Sequence, residues 1–477
     1  VKILSVASEA YPLVKTGGLA DVVGALPAAL SEHGVQVTTL LPGYPAVMKA
    51  AGGRAVYRWR DLMGGGEARL LRGEIAGHPL LVLEAPGLFA RKGGLYAAAA
   101  GGDWPDNWQR FAAFGQAAAQ VATGGVRGLR FDLLHAHDWQ GGMAPVYLRY
   151  AQAAVKSVLT VHNIAFQGQF GAEVFPRLGL PPEAWSIDGV EYYGGVGFLK
   201  GGLAAATAIT TVSPTYAREI LRPEFGMGLE GLIAGRSAEL TGIVNGIDPA
   251  VWNPRSDAAL CARYDEADLA RRVQNKRAIE QQFGLDEAEG PLFTVVTRLT
   301  WQKGMDVLAG ALDSLVDMGG RLALLGSGDE GLEQAFLRAA ARHPGRIGVR
   351  IGYDEALSHL LQGGADAIII PSRFEPCGLT QLYGLAYGCV PIVARVGGLA
   401  DTVIDANPAA LGAGVATGIQ FDDVTHEGLT YALRKAVSLY GQPARWRRMQ
   451  QRGMAADFSW KTSGAAYAAL YRSLVSA

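Results

Sequence analysis

The stretch IIIPSRFEPCGLTQLYGLAYG, residues 368–388, decides the fold. Ile368, Ile369 and Ile370 form an unbroken apolar run, as a strand buried on both faces requires. Pro371, Ser372 and Arg373 turn the chain, and Glu375 presents a carboxylate. Gly378, Leu379 and Thr380 offer backbone N–H groups where a helix starts, at about Leu379. A strand end facing a helix N-terminus is where an open α/β sheet holds anionic ligands. A carboxylate there is repelled by phosphate unless it faces neutral hydroxyls. The stretch therefore points to a ligand with one phosphorylated and one polyhydroxylated end, which fits a sugar nucleotide.

Working outward, strands and helices alternate almost throughout, the mark of parallel sheets covered on both faces. Strands are expected at 3–7, 35–40, 80–83, 133–135, 158–161 and 208–212, and in a second series at 293–297, 321–325, 347–351, 367–370 and 391–394. Helices are expected between them, for example over 19–32, 107–122, 305–317 and 331–342. The segments 52–66 and 97–102, rich in Gly or Ala, read as mobile surface loops. Turn dipeptides in GIVNGIDPAVWNP place a linker at 243–254. The expectation is α/β, with two Rossmann-like domains facing each other across a cleft, 1–242 and 255–457. The last helix, in 458–477, is free to pack on either. Closure of such a cleft is expected when its ligand binds.

A chain of 477 residues is long for one core. Its net charge of −1 gives no global attraction to nucleic acid or anionic membrane. Three widely spaced cysteines, Cys261, Cys377 and Cys389, favour a reducing compartment over a disulfide framework. No segment has the apolar length of a membrane helix. The N-terminus runs directly into a strand without a signal-peptide pattern, so cytoplasm is the expected location. Oligomeric state is not readable.

Several loops at strand ends carry chemistry. KTGGL, 15–19, places Gly17 and Gly18 where backbone can approach an anion, at a helix N-terminus, with Lys15 beside them. An ordinary turn with a surface lysine reads equally well. Arg298 and Lys303 follow the first strand of the second half and suit a pyrophosphate, or are solvated loop charges. His135 and His137 flank Ala136, and one of the two is expected to face inward; a metal site is not expected. His162 and Asn163 sit at a strand end, where a hydrogen-bonding role and a structural one are equally open. Gly326, Gly328 and Gly331 have dinucleotide-fingerprint spacing, with Asp354 as the candidate ribose acid, but they follow the second strand of their series. The pentapeptide GGLAD occurs at 17–21 and 397–401, which reads as shared use of close backbone approach.

The motifs KTGGLADVVGALP, HAHDWQ, TVHNIAFQG, VSPTYAREI, GIVNGID, TRLTWQKG and PSRFEPCGLTQLYGLAYG together resemble bacterial and plastid-type glycogen/starch synthases, from the first strand to the last helix. The resemblance implies a GT-B-type retaining glucosyltransferase that moves glucose from ADP-glucose to the non-reducing end of an α-1,4-glucan, without cofactor or metal. It also implies roles. Lys15, Gly17 and Gly18 contact donor diphosphate and sugar, while Arg298 and Lys303 hold the diphosphate. Glu375 binds glucose hydroxyls, with the N–H groups of Cys377, Gly378 and Leu379 positioning the sugar and Thr380 meeting phosphate. Asp138, His162, Asn163 and Asn245 line the sugar pocket, Tyr353 lies near adenine, Asp21 belongs to the donor site and Tyr96 to the acceptor site. The wider superfamily often shows a second Glu eight residues on, where this chain has Tyr383.

No carboxylate is compelled into a nucleophile's role, so front-face attack assisted by cations is the expected mechanism. An NAD-dependent oxidoreductase, a transferase using another donor and a non-catalytic glucan- or nucleotide-binding protein are the alternatives.

Overall fold

Successive residues of the central strands in the second half of the chain point into two different apolar cores. In the computed structural model, which describes residues 1–476, Phe293 and Val295 of the strand Leu292–Val296 join Leu308, Leu312, Leu324 and Ile369. Leu292 joins Ile279, Ala323, Leu325, Leu361 and Ile368 on the other face. A period of two with both sets apolar requires helices on both faces. The six strands are all parallel and lie in the order Ile347–Ile351, Arg321–Gly326, Leu292–Val296, Ala367–Ile370, Val390–Ala394, Ile419–Phe421. Numbered along the chain this is 3-2-1-4-5-6, the doubly wound order of a Rossmann sheet. The order reverses between Leu292–Val296 and Ala367–Ile370, which pair through Phe293 with Ala367 and Thr294 with Ile368. Loops 297–304 and 371–379 leave the carboxyl ends of those two strands, at the switch point where such sheets bind ligands.

This unit comprises Gly246–Ser459. The other comprises Val1–Asn245 together with the last helix, Trp460–Ser476. Nine of its strands form one sheet, in the order Leu240–Gly242, Ala208–Thr211, Lys156–Val161, Leu133–His137, Lys2–Val6, Gln36–Pro42, His78–Glu84, Ala68–Ile75, Arg54–Trp59, and Gln169–Phe170, Gly195–Gly197 and Glu191–Tyr192 form a small antiparallel one. Pairing is parallel as far as His78–Glu84, and Ala68–Ile75 is antiparallel to both its neighbours. Here the order reverses between Lys2–Val6 and Leu133–His137.

The segment 52–66, expected as a loop, contains the strand Arg54–Trp59. Its glycines only bracket a β-prone run. Tyr57 packs edge-on against Trp59 with ring centroids 4.7 Å apart, and Trp59 donates to Gln120 at 2.8 Å, so side-chain burial holds the edge strand in place. The last helix starts at Trp460 and packs on the helix Gly18–Ser31. Trp460, Tyr467, Ala468 and Tyr471 share a core with Ile3, Val22, Leu26, Leu30 and Leu133. At Gly464 an added Cβ would lie 3.0 Å from Ala29, so glycine lets the two helices approach. Among the described residues no helix is long and apolar enough to cross a membrane.

Candidate active site

In the first unit, four loops at the carboxyl edge of the sheet bring titratable groups together. Strand Lys2–Val6 leads to Ser8 and Glu9, both buried. Glu9 accepts from the Thr16 N–H at 2.6 Å, the Thr16 hydroxyl at 2.5 Å and the Tyr96 hydroxyl at 2.6 Å. One buried carboxylate thus fixes the loop that displays Lys15, Gly17 and Gly18. Tyr96 is also 2.7 Å from Ser8, so its hydroxyl is used inside the fold. Lys15 is exposed and paired with Asp21 at 2.8 Å. Gly17 caps the helix Gly18–Ser31, and a Cβ built on it would meet nothing within 4 Å. The open space lies on the solvent side of a helix N-terminus, a suitable place for an anion.

Strand Leu133–His137 ends at Asp138, whose φ of +52° lies in the left-handed region. Strain of this kind in a non-glycine residue gathers at functional sites, and Asp tolerates it better than most. The Asp138 carboxylate accepts the His162 N–H at 2.7 Å, and burial pushes its pKa up to about 7. The expectation that only one of His135 and His137 faces inward is wrong. Two residues apart on a strand, they share one face, with rings 4.1 Å apart and both buried. Burial lowers the His135 pKa to about 3, holds His137 well below its usual range and lowers His162 to about 3. All three rings are neutral at neutral pH. The Asn163 side chain accepts from Ala165 N–H at 3.0 Å within its own turn. Asn245 is 6% exposed, and its side-chain carbonyl has no hydrogen-bond partner among the described residues.

In the second unit, the two switch-point loops are knitted together. The Arg373 guanidinium bonds Asp306 at 2.7 and 2.8 Å and the Trp301 carbonyl at 2.7 Å, lying over the Trp301 ring. Across this brace Lys303 meets Glu375, with Nζ at 2.8 and 2.6 Å from the two carboxylate oxygens. Ser372 adds a bond at 2.9 Å to the same carboxylate. Arg298 is exposed on the loop before them. Cys377 and Gly378 present their carbonyls to the Gln381 amide at 2.9 Å each, and Gly378 has φ of +73°. Leu379 is the N-cap, and Thr380 the first residue, of the helix Thr380–Tyr387. Tyr383 stacks on Trp252 with centroids 3.6 Å apart. The position where the superfamily often carries a second carboxylate therefore serves packing here. Tyr353 is exposed, with its hydroxyl 2.6 Å from Glu355.

The dinucleotide fingerprint is structural. A Cβ at Gly326 or Gly328 would strike the carbonyls of Thr297 or Leu299, at 2.1 and 2.4 Å, and Asp354 caps its own helix by accepting from Leu357 N–H at 2.9 Å. A cavity of about 1340 Å3, lined by Lys2, Gln36, Arg72, His78, Leu80 and Arg130 among others, lies at the amino ends of the first unit's strands and contains no candidate residue.

Sequence reading missed Glu9, Ser372, Arg373 and Gln381. Glu9 alone left a signal, an acidic residue just beyond the first buried strand.

The Starch synthase catalytic domain model matches residues 2–235, and the Glycosyl transferases group 1 model matches residues 275–452. A glycogen synthase of Novosphingobium aromaticivorans is 65% identical, covering 100% of this chain and 99% of its own length. The chain belongs to the glycogen/starch synthase family. A second glycogen synthase, from Mesorhizobium japonicum, is 59% identical with the same coverage. Among solved structures, the catalytic domain of Arabidopsis thaliana starch synthase IV bound to ADP and acarbose matches with a TM-score of 0.88 at 31% identity, over 100% of this chain and 99% of that one. A sucrose-phosphate synthase from Thermosynechococcus elongatus, at 17% identity and a TM-score of 0.60, shares the fold. Membership of the glycogen/starch synthase family makes the chain a glycosyltransferase and removes the oxidoreductase and non-catalytic readings.

Proposed function

We propose that the chain transfers glucose from ADP-glucose to the non-reducing end of an α-1,4-glucan with retention at the anomeric carbon. The observation that carries this reading is the Lys303–Glu375 pair at the sheet's switch point, where a cation and a carboxylate share one loop system. The carboxylate has lone pairs left to accept sugar hydroxyls. Lys303 has a third N–H, and Arg298 and Lys15 add further positive charge for the diphosphate. The relatives' names and the ADP in the Arabidopsis structure support this donor and acceptor.

In this mechanism the bond from C1 to the diphosphate oxygen breaks, and the acceptor's 4-hydroxyl oxygen bonds C1 from the same face. The hydroxyl proton passes to the departing diphosphate oxygen, giving ADP. Lys15, Arg298, Lys303 and the N–H groups at 377–380 stabilise the developing charge. Glu375 grips glucose hydroxyls. Asp138, His162, Asn163 and Asn245 line the sugar's surroundings, Tyr353 approaches the base, and Tyr96 acts through Glu9 on the 15–18 loop. The cations do the work a metal would do, so none is needed. The three free cysteines suit a reducing compartment, and we place the reaction in the cytoplasm.

Nucleotide diphosphate release from ADP-glucose and from UDP-glucose, with and without glycogen and with and without EDTA, tests the reading. Glycogen-dependent ADP release that EDTA leaves unchanged is the expected result. No release from either donor overturns it, and loss of release in EDTA overturns the metal-free mechanism.

A further inference from the structure

The buried histidines behind His162 determine which of its ring nitrogens carries a proton. His137 Nδ1 lies 3.0 Å from His162 Nε2, and His137 Nε2 lies 3.3 Å from the Ser5 hydroxyl. His135 stands apart from this chain, with its two nitrogens taken by Thr160 at 2.6 Å and Tyr471 at 2.7 Å. With neutral rings, the bond between His137 and His162 holds one proton, so two arrangements exist. Ser5 selects between them. It is 3% exposed, and its hydroxyl has His137 as its one partner among the described residues. If His137 donated from Nε2, the buried hydroxyl proton of Ser5 would have no acceptor, a costly arrangement. Ser5 therefore donates to His137 Nε2. His137 then carries its proton on Nδ1 and donates to His162 Nε2, which leaves the His162 proton on Nδ1.

We propose that Ser5 and His137 are positioning residues that lock His162 as the Nδ1–H tautomer, so that it offers a hydrogen-bond donor to a hydroxyl oxygen of the transferred sugar. Which nitrogen is protonated follows from the bond the other one makes. His162 Nδ1 has no partner among the described residues, whereas Nε2 is occupied by His137 and is not available as a base. The role toward the sugar rests on the function proposed above; the tautomer does not.

15N NMR of the histidine-labelled full chain near neutral pH, without substrate, reads the tautomer directly. Wild type is expected to show His162 protonated on Nδ1. A neutral imidazole freed from such a partner favours Nε2–H. His137→Gln, which keeps a polar group near Ser5 but lacks a donor at the Nδ1 position, is expected to move His162 to Nε2–H and lower kcat roughly tenfold or more. Nε2–H in wild type overturns the relay, with no variant required. So does an unchanged tautomer in folded His137→Gln. A locked Nδ1–H tautomer in a protein without glucosyl transfer supports the relay and removes the function reading instead.

Discussion

Lys303 and Glu375 have side chains only 16% and 10% exposed, and each is the other's counter-charge. Removing one leaves the other buried without its partner, which costs about 3–5 kcal/mol. Lys303→Ala should therefore lose stability as well as about 10²- to 10³-fold in turnover. The double variant K303M/E375Q separates these effects: calorimetry should show most of the stability regained, while turnover stays low. Turnover near that of wild type in the double variant would contradict both roles. The histidines give a pH dependence. In the unfolded chain His135, His137 and His162 take up protons below about pH 6.5, whereas His135 and His162 in the fold wait until about 3 and His137 stays well below the usual range. The unfolded state binds more protons in this window, so stability falls as pH falls, by up to about 1.4 kcal/mol per unit for each ring. Asp138, raised to about 7, opposes this by holding a proton that the unfolded chain has lost above about pH 4. Three histidines outweigh one carboxyl. Tm should decline from pH 7 to pH 5, and more steeply in Asp138→Asn. At this scale Lys15, Lys303 and Glu375 stand out in the sequence as candidates, because cations and carboxylates at strand ends announce themselves, and the fold pairs the last two. Gln381 and Ser372 do not stand out, because their contacts, with the 377–378 carbonyls and with the Glu375 carboxylate, exist only once the loop is folded.

The two GGLAD copies show how one pentapeptide serves two purposes. In the copy at 397–401 the glycines carry the Glu375 loop: Cβ atoms at Gly397 and Gly398 would lie 1.8 Å from the Glu375 carbonyl and 2.0 Å from the Cys377 carbonyl. Gly398 N–H donates to the Glu375 and Pro376 carbonyls at 3.1 and 3.2 Å. In the copy at 17–21 a Cβ on Gly17 meets no protein atom within 4 Å. Gly398→Ala should displace the loop and lower Tm and turnover together. Gly17→Ala should cost about 1 kcal/mol or less in stability, the difference between Gly and Ala at an N-cap, yet raise KM for the donor. An unchanged donor KM in Gly17→Ala would show that the donor does not approach this turn. The close approach expected of the shared spacing is seen at Gly397 and Gly398, whereas at Gly17 no protein atom approaches. Central strands with unbroken apolar runs are legible in the sequence, whereas Ala68–Ile75, which mixes Arg and Glu into its apolar residues, is not. The strand Arg54–Trp59 escaped because its signal is five or six residues between glycines, stabilised by Gln120 from a distant helix.

At the scale of the whole molecule, the chain leaves the first unit after Asn245 and returns to it at Trp460. The last helix closes that unit's core through Trp460, Tyr467 and Tyr471. Burying each large apolar side chain contributes about 1.5–3 kcal/mol, so the helix supplies a sum comparable to the net stability of a domain. A chain ending at Ser459 should lose the cooperative melting of the first unit, and Tyr471→Phe, which removes the hydroxyl bonded to His135, should cost about 1–3 kcal/mol. Melting unchanged by the truncation would contradict this account. Sequence reading left this helix open between the two halves, since an amphipathic face does not say which core it completes. The glucosyl transfer itself is tested most directly by 1H NMR of ADP-glucose and maltotriose incubated with the chain. Loss of the donor's anomeric signal should be matched by ADP and by a new α-1,4 anomeric signal at the non-reducing end. A β-linked product, or a donor that persists in the presence of acceptor, would contradict it.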